Sequence, residues 1–192
     1  MKRFVTVATV ILAAAWCLVA LLSWLLSALM VGGVRPLLSG EGVRWLFAHS
    51  ADTLSSPFLA WLLTAALACG CVSGSRLLKG EGAYRRRAAL RVATAALMLY
   101  AAVIALLTVP PHAVLLSATG TLADSPFSRA IVPVASLGVA IFSVAYGIAA
   151  HTMATATDMT EALVEGLRGA APLILMYIMA AQLAHTLLYV FG

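Results

Sequence analysis

Apolar residues run almost unbroken through five stretches of this chain, and polar residues collect in the gaps between them. A helix needs about 20 mainly apolar residues to cross the hydrocarbon of a bilayer. The pattern therefore predicts membrane spans over residues 4–31, 58–72, 92–109, 127–150 and 170–191. Gly32-Gly33 and Pro36 close the first stretch, and Pro110-Pro111 close the third. Ser55-Ser56-Pro57 opens the second, where a proline in the first helical turn sacrifices no hydrogen bond. Pro133 falls early in the fourth span, where it can be accommodated or can kink the helix.

Two of the gaps carry a helical pattern of their own. Over residues 39–49, Val43, Leu46 and Phe47 share one helical face, with Glu41 and Arg44 elsewhere on the turn. Such a segment lies along the membrane surface, and Trp45 suits headgroup depth. Over residues 158–168, Met159, Leu163, Val164 and Leu167 form an apolar side. Asp158 with Glu161 three residues later is a capping-box-like start. The expected fold class is an all-α membrane protein with five transmembrane helices and two short interfacial helices, built as a single integral membrane domain over residues 1–192.

Composition agrees. Of the 192 residues, 63% are hydrophobic and 10% charged, and mean hydropathy is +1.03. A soluble domain of that make-up would have too little polar surface. The first apolar run is about twice the length of a signal-peptide core, so it is expected to remain as an uncleaved, tilted span. Trp16 directly before Cys17 makes a poor lipoprotein cleavage site.

The net charge of +5 is concentrated rather than spread. Arg76, Lys79, Arg85, Arg86, Arg87 and Arg91 crowd residues 76–91 against the single acid Glu81. Basic loops stay on the cytoplasmic side, and Lys2, Arg3 and Arg168 fall on that same side of an alternating layout. Arg35, Arg44 and Arg129 fall on the other. The expected placement is a bacterial-type inner membrane with the N-terminus cytoplasmic and the C-terminus outside. The basic loop is also suited to face anionic lipid. Nothing resembles a nucleic-acid recognition module.

Candidate chemistry is sparse. Cys17, Cys69 and Cys71 form no disulfide framework, and Cys69-Gly70-Cys71 falls short of the four ligands of a zinc site. No phosphate-cradling glycine loop, metal-spaced cluster or nucleophile with its base is present, so neither an enzyme nor a cofactor is expected. Polar residues inside spans are the remaining clue, because burying them is costly. Ser143, Tyr146, Gln182 and His185 are the candidate substrate-binding residues, with His151 and Asp158 near the cytoplasmic surface. Each also has a structural role open to it: Tyr146 as an interface aromatic, Gln182 bonding a neighbouring helix, His185 solvated near a helix end.

An ordered set of short motifs resembles the AbgT family of membrane transporters. It runs Ser125-Pro126-Phe127, Ile131-Val132-Pro133, Tyr146-Gly147-Ile148, Asp158 and Ala181-Gln182. A second block, Leu37-Leu38-Ser39-Gly40-Glu41-Gly42 followed by Ser56-Pro57-Phe58, is similar too. It also echoes within the chain: residues 52–58 resemble residues 121–127. The resemblance implies p-aminobenzoyl-glutamate uptake or antimetabolite efflux, and an architecture of dimer-forming scaffold plus a transport part with re-entrant hairpins.

This chain passes from its second span through one basic loop to the segment that, in the family, follows the first hairpin region. It contains no Asn, so no substrate residue of the family transfers to a numbered position. The expected remainder is the scaffold half: a homodimer in the lipid bilayer, acting as an accessory subunit and pairing with a full-length transporter. The alternative is a minimal transporter whose path forms between protomers and is lined by Tyr146, Gln182 and His185.

Overall fold

The computed structural model describes residues 2–30, 33–49, 55–77, 83–108 and 126–192, and their side chains except at residues 2, 83–85 and 126–129. Lys79, Glu81, His112, Pro110-Pro111, Asp124-Ser125 and residues 52–54 of the internal echo lie outside the described residues. So do the side chains of Arg85, Phe127 and Arg129.

All regular structure among the described residues is helical: α1 (Lys2–Ala28), α2 (Gly40–Ala48), α3 (Pro57–Gly74), α4 (Ala83–Thr108), α5 (Pro126–Ala149) and α6 (Ala156–Phe191). Five of them, all but α2, are long and apolar enough to cross a membrane. Their large side chains point outward: Phe4, Ile11, Leu21, Met98, Leu106 and Leu188 are all exposed. In water that surface would be prohibitive. In hydrocarbon it is the ordinary outer face of a spanning helix. The chain is a multi-pass all-α membrane protein.

Two elements differ from the sequence pattern. Helix α4 starts at Ala83, so Arg86, Arg87 and Arg91 stand on a helix rather than in a loop. Arg76 is in the turn after α3 at φ +52°. Residues 158–168 and 170–191 are not two helices but one, α6, of 36 residues. At about 1.5 Å per residue it is some 54 Å long, well beyond a hydrocarbon core of about 30 Å. Asp158, Glu161, Glu165 and Arg168 all fall before Gly169, so roughly the first third stands outside the hydrocarbon and the spanning part begins near Ala170. Pro172 inside α6 costs the helix one hydrogen bond. A membrane helix tolerates that loss.

The start of α6 is also not the one the pattern suggests. Thr155 is the N-cap, and Asp158, not Glu161, closes the box. The Asp158 N–H donates to Thr155 Oγ1 at 3.2 Å, while Asp158 Oδ2 accepts from the N–H groups of Thr155 (2.9 Å) and Ala154 (3.0 Å). Helix α2 is capped by Ser39, whose Oγ accepts from the Gly42 N–H at 3.1 Å.

The chain divides into two compact units. Unit 1 holds residues 1–59 and 171–192, hence α1, α2 and the apolar end of α6. Its core is Ala20, Leu37 and Val190, flanked by Trp16, Val19, Val34, Trp45 and Tyr189. Trp45 stacks on Tyr189 at 4.3 Å and on His49 at 5.1 Å, pinning α2 to the end of α6. The Arg35 N–H donates to the Val190 carbonyl at 3.2 Å, so the segment after α1 and the end of α6 share one side. Gly42 is required here, since a Cβ would come within 2.6 Å of the Pro36 carbonyl oxygen.

Unit 2 holds residues 60–170: most of α3, all of α4 and α5, and the charged third of α6. Ala89, Ala93 and Tyr146 form the core where α4 meets α5. The turn after α5 places His151 at φ +58° and folds Met153 inward, almost completely buried, against Gly74 and Gly147.

Candidate functional site

Glycine spacing sets the closest contact of unit 2. Ala66, Gly70 and Gly74 recur every fourth residue on α3, and Ala162, Gly166 and Ala170 do the same on α6. Residues four apart stack on one helix face. The two small-residue faces meet, and a Cβ at Gly70 would sit 2.9 Å from the Gly166 Cα. This is the close backbone approach that small-xxx-small patterns permit between helices. A polar cleft of about 650 Å³ opens beside it, lined by Arg76, Asp158, Glu161, Glu165 and Arg168 among others. Glu165 and Arg168 form an exposed ion pair at 3.7 Å, a contact that contributes little.

A second cavity, of about 690 Å³, runs along α4 and α5. Leu97, Ala101, Ile104 and Thr108 lie along one face of α4 and line it; Val134, Gly138 and Phe142 answer from α5. The α4 stretch from Leu97 to Thr108 is about 16 Å long at helical rise, so the cavity is an elongated slot. Its lining is almost wholly apolar. The Tyr100 hydroxyl is committed, donating to the Val134 carbonyl at 2.8 Å. The Thr108 hydroxyl donates to the Ile104 carbonyl at 2.8 Å.

Ser143 stands apart. It lines one end of the slot, is fully buried, and its Oγ has no hydrogen-bond partner among the described residues. A buried hydroxyl without a partner is costly and asks for an explanation. Val72 and Leu77 are at the same end of the slot, next to the Ala89–Ala93–Tyr146 core.

The other sequence candidates separate. Tyr146 is buried in that helix contact. In unit 1, Gln182 is half-buried and His185 is exposed on the outer face of α6. Ser143 and Tyr146 belong to unit 2, Gln182 and His185 to unit 1. Arg76, Arg86, Arg87 and Arg91 are all exposed.

Sequence reasoning missed the residue next to His185. Thr186 is fully buried and accepts a hydrogen bond from Trp16 Nε1 at 2.9 Å. Ser23, also fully buried, donates to the Ala20 carbonyl and accepts from the Leu37 N–H. Ser56 and Tyr177 share a hydroxyl–hydroxyl bond. Threonine and serine in apolar helices are common enough that nothing marked these out in advance. Among the described residues no group of three metal-type side chains comes together.

The five long apolar helices among the described residues define the class: a polytopic membrane protein. The family model described as the AbgT putative transporter family matches residues 75–189, and the chain belongs to that family. The match covers α4, α5 and α6; the similar block at residues 37–42 and 56–58 lies before it. Among curated proteins the chain is similar to the p-aminobenzoyl-glutamate transport protein of Escherichia coli (strain K12), 34% identical over 98 residues. Those residues are 50% of this chain and 19% of that protein, so the similarity spans about a fifth of the relative's length. No solved structure matches the chain.

Proposed function

We propose that the chain serves an AbgT-type transport system as a helix-packing frame, embedded in a bacterial inner membrane and assembled with further copies or with a longer transporter of the family. The observation carrying this reading is where the polar and small residues go. Ser23, Ser75 and Thr186 are buried and each is hydrogen-bonded to its own helix or a neighbouring segment. Gly70, Gly74 and Gly166 are taken up by helix contacts. A polar solute such as p-aminobenzoyl-glutamate needs several free polar groups converging on one cavity. Among the described residues the membrane-depth slot offers Ser143 alone as a free polar group.

Partner contacts would use the exposed apolar faces. The small-residue face of α3 is covered by α6, and Gly138 of α5 lies against Tyr100. These faces are therefore not the ones a second copy would occupy.

The test is uptake of labelled p-aminobenzoyl-glutamate into proteoliposomes, with native mass spectrometry confirming the assembly present. The expected result is an oligomer with no uptake above empty vesicles. Uptake that scales with the amount of this chain alone would overturn the frame reading. It would favour the minimal transporter, as would loss of that uptake in Gln182→Ala or His185→Ala.

A further inference from the structure

The slot between α4 and α5 has three chemical features in a fixed order along one direction. Its body is apolar for about 16 Å of helix, from Thr108 to Leu97. Ser143 ends it with a buried hydroxyl that lacks a partner. Beyond that end, α4 continues into exposed Arg91, Arg87 and Arg86. Arg86 falls on the same helical face as Leu90, Ala93 and Leu97, and Arg87 lies about five helical turns before Ala105 of the slot lining, while Arg91 faces about 120° away from Leu97.

We propose that this slot binds one acyl chain of an anionic phospholipid. The hydrocarbon tail lies along Leu97, Ala101, Ile104 and Thr108. An ester carbonyl at the head of the tail accepts the Ser143 hydroxyl proton in a hydrogen bond. The phosphate is held by Arg86 and Arg87. The argument for a lipid is the sequence of apolar body, single hydrogen-bond donor and cationic cluster.

A polar dicarboxylate would strand its charges in the apolar body. A neutral apolar solute would leave the arginines unused. An empty slot would cost the lining its dispersion contacts, and a bilayer supplies hydrocarbon chains at the open side. Basic residues near a membrane surface each add to binding of acidic headgroups. The inference does not depend on the frame reading; it requires only that the chain spans a bilayer.

Native mass spectrometry after detergent extraction tests it, with phosphatidylglycerol and phosphatidylcholine of identical acyl chains as the probes. Wild-type protein should retain one tightly held phosphatidylglycerol per chain. Ala135 of α5 lines the slot opposite Ala101 of α4; Ala101→Phe and Ala135→Phe fill it, and either should lower retention about tenfold or more through lost apolar contact. Ala101→Leu is the milder variant should the aromatic ones fold poorly, and melting curves report folding. Arg86→Gln with Arg87→Gln should lower phosphatidylglycerol retention by about fivefold per arginine and leave phosphatidylcholine unchanged.

Ser143→Ala should weaken retention of both lipids. Retention indifferent to slot filling in folded variants would overturn the proposal. So would retention without headgroup preference. Displacement of the lipid by p-aminobenzoyl-glutamate would likewise overturn it and assign the slot to solute.

Discussion

Gly70 of α3 and Gly166 of α6 touch through their backbones: a Cβ on Gly166 would stand 2.7 Å from the Gly70 Cα, and one on Gly70 would stand 2.9 Å from the Gly166 Cα. Neither position has room for a methyl group, because the opposing atoms are main chain and cannot rotate away. The contact sits where the charged third of α6 crosses α3, and it sets the packing of that part of unit 2.

Substitution at this crossing should therefore destabilise the fold strongly. Gly70→Ala or Gly166→Ala is expected to cost about 1–3 kcal/mol, the range for overpacking a tight interior, and Gly166→Leu more. Gly169→Ala serves as the control, since nothing lies within 4 Å of a Cβ there. Thermal melting in mild detergent reads the difference. Equal melting temperatures for Gly166→Ala and Gly169→Ala would refute the contact.

Much of this fold was legible in the sequence, and the reasons are physical. Hydrocarbon imposes a length on every span, so the apolar runs locate five helices. Prolines and glycines were less informative, because they report local cost alone. Residues 158–168 and 170–191 read as two helices, yet α6 continues through Gly169 and Pro172 between and within them. The fourth-residue spacing of Ala66, Gly70 and Gly74 is visible in the chain. Which helix it meets is not, since spacing describes one face and contact needs two.

The candidate site was less legible still. Ser143, Tyr146, Gln182 and His185 were singled out for being polar in apolar helices, a criterion blind to partners. Tyr146 packs in the α4–α5 core and His185 faces outward, while Ser143 alone is buried and unpaired. Thr186, one residue from His185, carries the contact with Trp16.

That contact yields the second prediction. Trp16→Phe removes the donor and leaves the Thr186 hydroxyl buried. Hydrogen bonds between membrane helices are worth about 0.6 kcal/mol on average and up to about 2 kcal/mol, so the loss should fall in that range. Thr186→Val replaces the hydroxyl by a methyl group. Combined with Trp16→Phe it should cost less than the sum of the two single changes, the signature of a shared interaction. Additive losses would show that the pair does not couple.

The capping box of α6 gives a pH dependence. Asp158 lies outside the hydrocarbon, and the Thr155 backbone N–H, then the Thr155 hydroxyl contact, hold its carboxyl below the usual aspartate range. A folded-state pKa lowered relative to the unfolded chain means that the unfolded state binds more protons. The stability from this group is present above the ordinary aspartate value and fades as pH falls through the depressed one. Acid melting curves of wild type and Asp158→Asn should therefore converge at low pH. Thr155→Ala, which removes the N-cap oxygen, should cost about 1 kcal/mol at neutral pH. Melting curves that stay parallel down to strong acid would remove Asp158 from this role.

Sidedness is the last prediction, and the structure ties ends together within each unit. In unit 2 the Thr152 hydroxyl donates to the Ser75 carbonyl at 3.0 Å, and Ala89 and Ala93 pack on Tyr146. The end of α3, the start of α4 and the end of α5 therefore share one side. In unit 1 the Arg35–Val190 bond places the segment after α1 with the end of α6. Arginine is held on the cytoplasmic side during insertion, and the arginine-bearing start of α4 marks that side for unit 2. With Cys17, Cys69 and Cys71 replaced by Ser or Ala, single cysteines at Arg44 and Arg87 report the result. A membrane-impermeant thiol reagent on intact cells should label Arg44→Cys and spare Arg87→Cys until the membrane is opened. Labelling in the reverse order would invert the topology, and labelling of both in intact cells would mean that α3 does not cross.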